Sequence, residues 1–337
     1  MAGALRRCSA DHRPSATAPS PFLLRLASEA AALAAHRPLG EGRLEVDGPA
    51  AVAAMRARLG ELPFRGTVTA CTAAGGDAAF RPGEILGTAL DPPAWDLVLD
   101  PLEGTTWLGP GRTNALAAVA LAPRGSLFDP GPCFYMEKLI APAAAAGALD
   151  PRMPTREKLE RLAECLDRPV RGLTVYLLEK PRHNRLLAEI RRAGARVALH
   201  PAGDVAGAVM AAMPGSGIDA LMGTGGAVEG LLAACAVRAL GGVCFARLDP
   251  QLAGERRRVA EAGLDTTRWL ALEELVTAPE VTFCATGITD GLLLEGVRRQ
   301  ADRLRTQTLM LSGLTGEHQL LTGFHLPATP SRGAPRR

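Results

Sequence analysis

The chain has 337 residues; a 47% hydrophobic and 22% charged composition describes a globular protein and excludes a wholly disordered one. Its 38 Lys+Arg against 35 Asp+Glu leave a formal net charge of +3, too small an excess to point to nucleic acid as a partner. The apolar runs are short, such as 115–122 closed by Pro123, so no membrane-spanning helix is expected and membrane is not a predicted partner.

Residues 1–20 mix Arg6, Arg7, Asp11 and Arg13 with Pro, Ser and Ala. They lack the apolar core of a secretory signal, and a disordered tail is expected. Apolar spacing predicts a helix over 22–36, ended by Pro38-Leu-Gly40. A second helix is predicted to start after Asp47-Gly48, with Pro49 in its first turn, and to run to Leu59. A strand over 65–71 leads into an Ala- and Gly-rich loop over 72–83. The apolar strand 95–100 ends in Asp100, and 101–105 reads as a tight turn. Another strand is expected over 114–121. Helices over 158–166 and 185–193 flank a strand at 173–178. A strand at 197–200 and a helix over 204–213 follow. The strand 218–222 runs into the glycine loop 223–226, before a helix over 228–240. A strand at 281–285 leads into 286–289, and after Leu326 a second disordered tail is expected over 327–337. Strands and helices alternating through short connections predict an α/β fold.

The seven cysteines include no C-x-x-C pair. Buried reduced thiols of a cytoplasmic protein are the expectation.

The segment Asp100-Pro-Leu-Glu-Gly-Thr105 carries the most chemical information. A strand brings Asp100 to a sheet edge, Pro101 turns the chain, and Glu103 can return toward Asp100, so two carboxylates can share a divalent cation. Hard oxygen donors suit Mg²⁺ or Mn²⁺. On spacing alone, an ordinary strand exit with solvated carboxylates has about equal weight. Lys180-Pro-Arg-His183 offers donors for phosphate, or is a solvated basic loop with a surface histidine. Glu229 reads equally as a first-turn glutamate that complements a helix dipole. The glycines at 223–226 fail the dinucleotide fingerprint because Val228 stands where its last glycine belongs.

D-P-x-E-G-T resembles the metal loop of the lithium-sensitive sugar and inositol phosphatases. Further segments, in shared order from about Leu24 to about Leu326, narrow the resemblance to the class II fructose-1,6-bisphosphatases. They include Asp47-Gly48, Tyr135-Met-Glu-Lys-Leu-Ile140, Lys180-Pro-Arg-His183, Gly203-Asp-Val-Ala206 and Gly225-Gly-Ala-Val-Glu-Gly230. The resemblance implies a layered α-β-α-β-α sandwich over 21–326, in two α/β halves meeting near 140–170. It also implies a homo-oligomer, dimer or tetramer. Its implied activity is Mg²⁺- or Mn²⁺-dependent hydrolysis of the 1-phosphate of fructose 1,6-bisphosphate, with sedoheptulose 1,7-bisphosphate as a further substrate. The implied metal ligands are Asp47, Asp100, Glu103 and Glu229, and Thr105 acts at the scissile phosphate. Substrate contacts fall on Glu103, Gly104, Thr105, Tyr135, Lys180, Pro181, Arg182, Gly203, Asp204 and Gly226.

The chain departs from the family's acidic segment after strand 65–71. Thr72 stands where the family has the glutamate that bridges metals, Ala74 replaces an acidic position, and Gly76 replaces the aspartate that activates water. Asp77, one residue away, is the candidate to take over that role. Ala202 replaces an acidic substrate contact. A thinned acidic cluster should bind metal more weakly. It leaves open a non-catalytic homologue that binds a sugar phosphate, or a phosphatase for another sugar or inositol phosphate.

Overall fold

The computed structural model describes residues 20–36, 44–72, 77, 79–104 and 114–326. The expected tail 1–20, save Ser20, and the tail 327–337 lie outside the described residues, as does Thr105.

Helices α1 (Pro21–Ala35) and α2 (Leu44–Glu61) precede strands β1 (Gly66–Cys71), β2 (Ile85–Leu86), β3 (Trp95–Glu103), β4 (Leu116–Pro123) and β5 (Tyr135–Ala141). Then come α3 (Thr155–Cys165), β6 (Thr174–Leu178), α4 (Asn184–Ala193), β7 (Arg196–His200), α5 (Asp204–Ala212), β8 (Ala220–Gly226) and α6 (Ala227–Leu240). The chain continues through β9 (Val243–Leu248), α7 (Ala253–Glu261), β10 (Leu270–Ala271) and α8 (Leu272–Leu275). Strands β11 (Thr282–Gly287), β12 (Arg298–Gln300), β13 (Arg303–Ser312) and β14 (His318–His325) follow.

Two sheets result. The larger has the order β12-β13-β11-β4-β3-β1-β2, with β14 paired to β13, and the smaller the order β10-β9-β5-β8-β6-β7. Three hydrophobic clusters show how the layers stack. One joins α1 and α2 to the outer face of the large sheet, through Leu24, Met55, Leu97 and Val119. A second fills the space between the sheets around α5 and α6, through Val209, Leu232, Val98 and Ile140. A third joins α3 and α4 to the outer face of the small sheet, through Leu159, Ile190 and Val175. The expected α-β-α-β-α sandwich is therefore present. The inner helices are almost wholly apolar because they are covered on both sides; every residue of α5 is buried. Among the described residues, no helix is long and apolar enough to cross a membrane, and the cysteines are free thiols.

Three expectations about elements differ from the structure. Helix α2 begins at Leu44, so Pro49 lies inside it instead of at its first turn, and Asp47 is a helical residue. Strand β3 continues through Pro101 to Glu103 instead of turning there. The glycines 223–226 form a strand: β8 pairs with β5 from Leu221–Ile140 to Gly226–Tyr135, and this ladder satisfies a backbone that in isolation reads as a loop.

Candidate active site

The site begins with side-chain parity on β3. Trp95, Leu97 and Leu99 face α1 and α2, whereas Val98 faces the middle layer, so Asp100 also points inward. Pro101 has no N–H to give the ladder, and pairing with β4 slips between Asp100 and Glu103. The slip reverses the parity. Leu102 joins the outer cluster, and Glu103 joins Asp100 on the inward face. Both carboxylates are almost fully buried.

Each has one satisfied oxygen and one orphan. Asp100 Oδ1 accepts from Thr72 Oγ1 at 2.9 Å and from the Leu102 amide at 3.1 Å. Glu103 Oε1 accepts from the Val205 amide, in the first turn of α5, at 3.0 Å. Among the described residues, Asp100 Oδ2 and Glu103 Oε2 are buried without a hydrogen-bond partner. Burial, and then the charge of Glu229, pushes the Asp100 carboxyl up to about 7. Burial, and then Asp100, holds Glu103 well above the usual carboxylate range. Two adjacent carboxylates, each with an unpartnered buried oxygen, lack positive charge.

The facing wall comes from the small sheet. Lys138 is on the inward face of β5, between Met136 and Ile140. Its Nζ lies 2.5 Å from Asp204 Oδ2 and 2.9 Å from the Gly226 carbonyl. Asp204 opens α5 and Glu229 stands in the first turn of α6, so two helix N-termini converge here. Such termini favour negative charge and phosphate. Burial raises the Glu229 carboxyl, and the Lys138 charge acts against that rise.

Two glycines make the junction possible. Gly203 has φ +95°, and a Cβ there would lie 2.2 Å from Asn114 Nδ2. At Gly225 a Cβ would fall 1.6 Å from Asp204 Oδ2. The carboxylate occupies the space that any other residue would fill.

Other predicted residues form a second group along the same strand. Arg182 donates through Nε and Nη2 to the Thr224 carbonyl, at 3.0 and 2.8 Å, and its guanidinium lies 5.2 Å from the Tyr135 ring centre. Arg182 and Pro181 are exposed, and Lys180 and Tyr135 are half-buried. Gly104 continues from Glu103 with φ +81°, and Gly226 accepts from Lys138. Asp47 is buried in α2, and Asp77 is exposed.

His183, expected on the surface, is buried. Its Nδ1 lies 2.7 Å from the Leu178 carbonyl, and its Nε2 accepts the Thr224 amide at 2.8 Å. It braces the strand that carries Gly225 and Gly226. Burial holds its imidazole below the usual histidine range, so the unfolded chain takes up a proton first as pH falls. The stability from neutral His183 is present above pH 6.5 and lost progressively below it. In His183→Gln, the fall in melting temperature between pH 7 and pH 5 should be smaller than in the wild type. Equal slopes in thermal melts would remove this role.

Two signals were missed in the sequence. Lys138 interrupts an apolar strand face, Met136-x-Lys138-x-Ile140. Glu255 is fully buried. It accepts the Phe134 and Tyr135 amides on Oε1, at 2.6 and 3.0 Å, and the Gln251 and Leu252 amides on Oε2. That clamp fixes the start of β5 and with it Tyr135.

The residues also fit a divalent ion. The orphan oxygens Asp100 Oδ2 and Glu103 Oε2 are hard donors on adjacent side chains. Among the described residues no group of three or more His, Cys, Asp or Glu side chains is placed to hold a metal ion. Mg²⁺ in phosphate-handling sites commonly takes one or two carboxylates and completes its shell with water and substrate phosphate.

A layered α/β sandwich with buried carboxylates at two inner helix N-termini is the sugar-phosphatase type of architecture expected above. Residues 22–325 match the family described as bacterial fructose-1,6-bisphosphatase, glpX-encoded. The D-fructose 1,6-bisphosphatase class 2/sedoheptulose 1,7-bisphosphatase 2 of Acaryochloris marina (strain MBIC 11017) is 38% identical over 329 residues, spanning 90% of this chain and 94% of that protein. The fructose-1,6-bisphosphatase 2 class 2 of Escherichia coli (strain K12) is 37% identical over 316 residues, spanning 88% and 97%. The D-fructose 1,6-bisphosphatase class 2/sedoheptulose 1,7-bisphosphatase of Crocosphaera subtropica (strain ATCC 51142 / BH68) is 37% identical over 327 residues, spanning 90% and 94%. The chain belongs to the class II, GlpX-type fructose-1,6-bisphosphatase family.

Proposed function

We propose that the protein hydrolyses the 1-phosphate of fructose 1,6-bisphosphate to fructose 6-phosphate and inorganic phosphate, and acts also on sedoheptulose 1,7-bisphosphate. The observation that carries this reading is the pair of buried oxygens on Asp100 and Glu103, unpartnered among the described residues, beside two helix N-termini.

In this reading Asp47, Asp100, Glu103 and Glu229 hold Mg²⁺ or Mn²⁺. When bound, the ion polarises the phosphate and lowers the pKa of the attacking water. Tyr135, Lys180, Pro181, Arg182, Gly203, Asp204 and Gly226 bind the sugar and its distal phosphate. Gly104 and Thr105 flank the scissile phosphate and stabilise charge on its oxygens. Water forms the new bond to phosphorus as the bond to the C1 oxygen breaks. Asp77 takes the water's proton, and the departing oxygen takes one from solvent water through the Thr105 hydroxyl, which gives up its own proton as it receives another. The active unit is a cytoplasmic homo-oligomer, dimer or tetramer.

Thr72 supports a weaker grip on the ion, because its hydroxyl occupies Asp100 Oδ1 where the family has a further carboxylate. The test is phosphate release from fructose 1,6-bisphosphate across an Mn²⁺ titration, with EDTA as control. Release that rises with Mn²⁺ to a plateau at millimolar concentration supports the reading. Bisphosphate binding without release identifies a non-catalytic homologue instead. Preferential release from an inositol or other sugar phosphate would change the substrate.

A further inference from the structure

Lysine is scarce in this chain. Only Lys138, Lys158 and Lys180 stand among its 38 basic residues, the rest being arginine. Lys138 is 2% exposed, on the inward face of the small sheet, against Asp204 and Gly226. Arginine would bring a wide planar fork, whereas the ammonium is a compact point charge on a slender stem. The surroundings require the slender form. A Cβ at Gly230, on α6, would lie 3.4 Å from Lys138 Cδ and 3.8 Å from its Nζ, so the helix surface lies flush against the side chain.

The ammonium has two partners with different duties. It is bonded to Asp204 Oδ2 at 2.5 Å and to the Gly226 carbonyl at 2.9 Å, and so ties the start of α5 to the end of β8. Its positive charge also acts on Glu229, and Asp204 in turn adds negative charge around Glu103. Of the four carboxylates Asp100, Glu103, Asp204 and Glu229, Asp204 is thus paired directly with the lysine, whereas Asp100 Oδ2 and Glu103 Oε2 have no hydrogen-bond partner among the described residues.

We propose that Lys138 is the resident cation of the site: a positioning residue that orients Asp204 and the Gly226 carbonyl for the sugar, and whose charge limits how tightly the exchangeable divalent ion is held. The inference rests on the phosphatase reading and deepens it. The ammonium acts on Glu229, which the phosphatase reading places among the ligands, so the ammonium and a divalent ion draw on the same carboxylate and each lowers the site's affinity for the other.

The test is Mn²⁺ binding followed by electron paramagnetic resonance, which reads the free ion and does not depend on turnover. Lys138→Gln removes the charge and retains a donor. It is expected to bind Mn²⁺ on the order of tenfold more tightly than the wild type, while KM for fructose 1,6-bisphosphate rises on the order of tenfold as Asp204 loses its partner. A residue that served only the fold would give weaker or unchanged Mn²⁺ binding together with a lower melting temperature. The double variant Lys138→Met/Asp204→Asn removes one charge of each sign and keeps the site's net charge, so it remains informative if the single variant does not fold. Its Mn²⁺ affinity should return to within about threefold of the wild type while KM stays high. Unchanged or weaker Mn²⁺ binding by folded Lys138→Gln, or an Mn²⁺ affinity much weaker than wild type in the double variant, overturns the role given to Lys138 and leaves the phosphatase reading standing. A wild-type protein that takes up no Mn²⁺ overturns both.

Discussion

Glu103→Gln is expected to lower kcat for fructose 1,6-bisphosphate by about a thousandfold, equivalent to about 4 kcal/mol of transition-state stabilisation, while the protein remains folded. The two Glu103 oxygens have separate duties. Oε1 accepts the Val205 amide and so joins β3 of the large sheet to the first turn of α5, and a glutamine oxygen can accept the same bond. Oε2 is the buried orphan, and there glutamine presents an NH₂ group that cannot ligate a cation. The substitution also removes one charge from a cluster whose members raise one another's carboxyl pKa. In EDTA the variant should therefore melt no lower than the wild type. A kcat within tenfold of wild type would show that Glu103 does not hold the catalytic ion. A large fall in melting temperature would show that the carboxylate serves the fold.

The pairing of Asp100 with Glu103 was legible because strand chemistry is local. An apolar run ending in Asp100, followed by Pro101 and Glu103, announces a carboxylate pair at a sheet edge. The slip that turns both inward depends on pairing with β4, which no single segment reveals. Resemblance placed Asp204 and Glu229 together, although 24 residues separate them, because both open inner helices of one layer. The glycines 223–226 misled for a related reason. Glycine is scarce in strands when packing decides the residue, but at Gly225 the excluded volume belongs to Asp204, a contact between distant segments. His183 and Lys138 are polar residues buried by partners across the sheet, the Thr224 amide and the Gly226 carbonyl. Their burial follows from the partners and not from their own hydropathy. Strands β13 and β14 went unread because their exposure is mixed along their length and β14 covers an edge.

Thr72→Glu tests the departure from the family from the opposite direction, and its sign depends on metal. The threonine hydroxyl now donates to Asp100 Oδ1, so it stabilises that oxygen while offering the site no negative charge. Glutamate removes the donor, releases Oδ1 and adds a carboxylate close to Asp100. Without divalent ions this places one more anion beside carboxyls that burial already pushes toward protonation, and the melting temperature in EDTA should fall. With Mn²⁺ the same charge becomes a ligand. Affinity is expected to rise by about a hundredfold, equivalent to about 3 kcal/mol, and linkage carries that gain into stability once the ion saturates the folded state. The melting curves of variant and wild type should therefore exchange order between EDTA and millimolar Mn²⁺, and the variant should reach its maximal rate at lower Mn²⁺. If the variant melts below wild type in both conditions and its Mn²⁺ affinity is unchanged, residue 72 does not face the ion. The low anionic charge beside Asp100 would then have to be met by Asp47 or by the phosphate of the substrate.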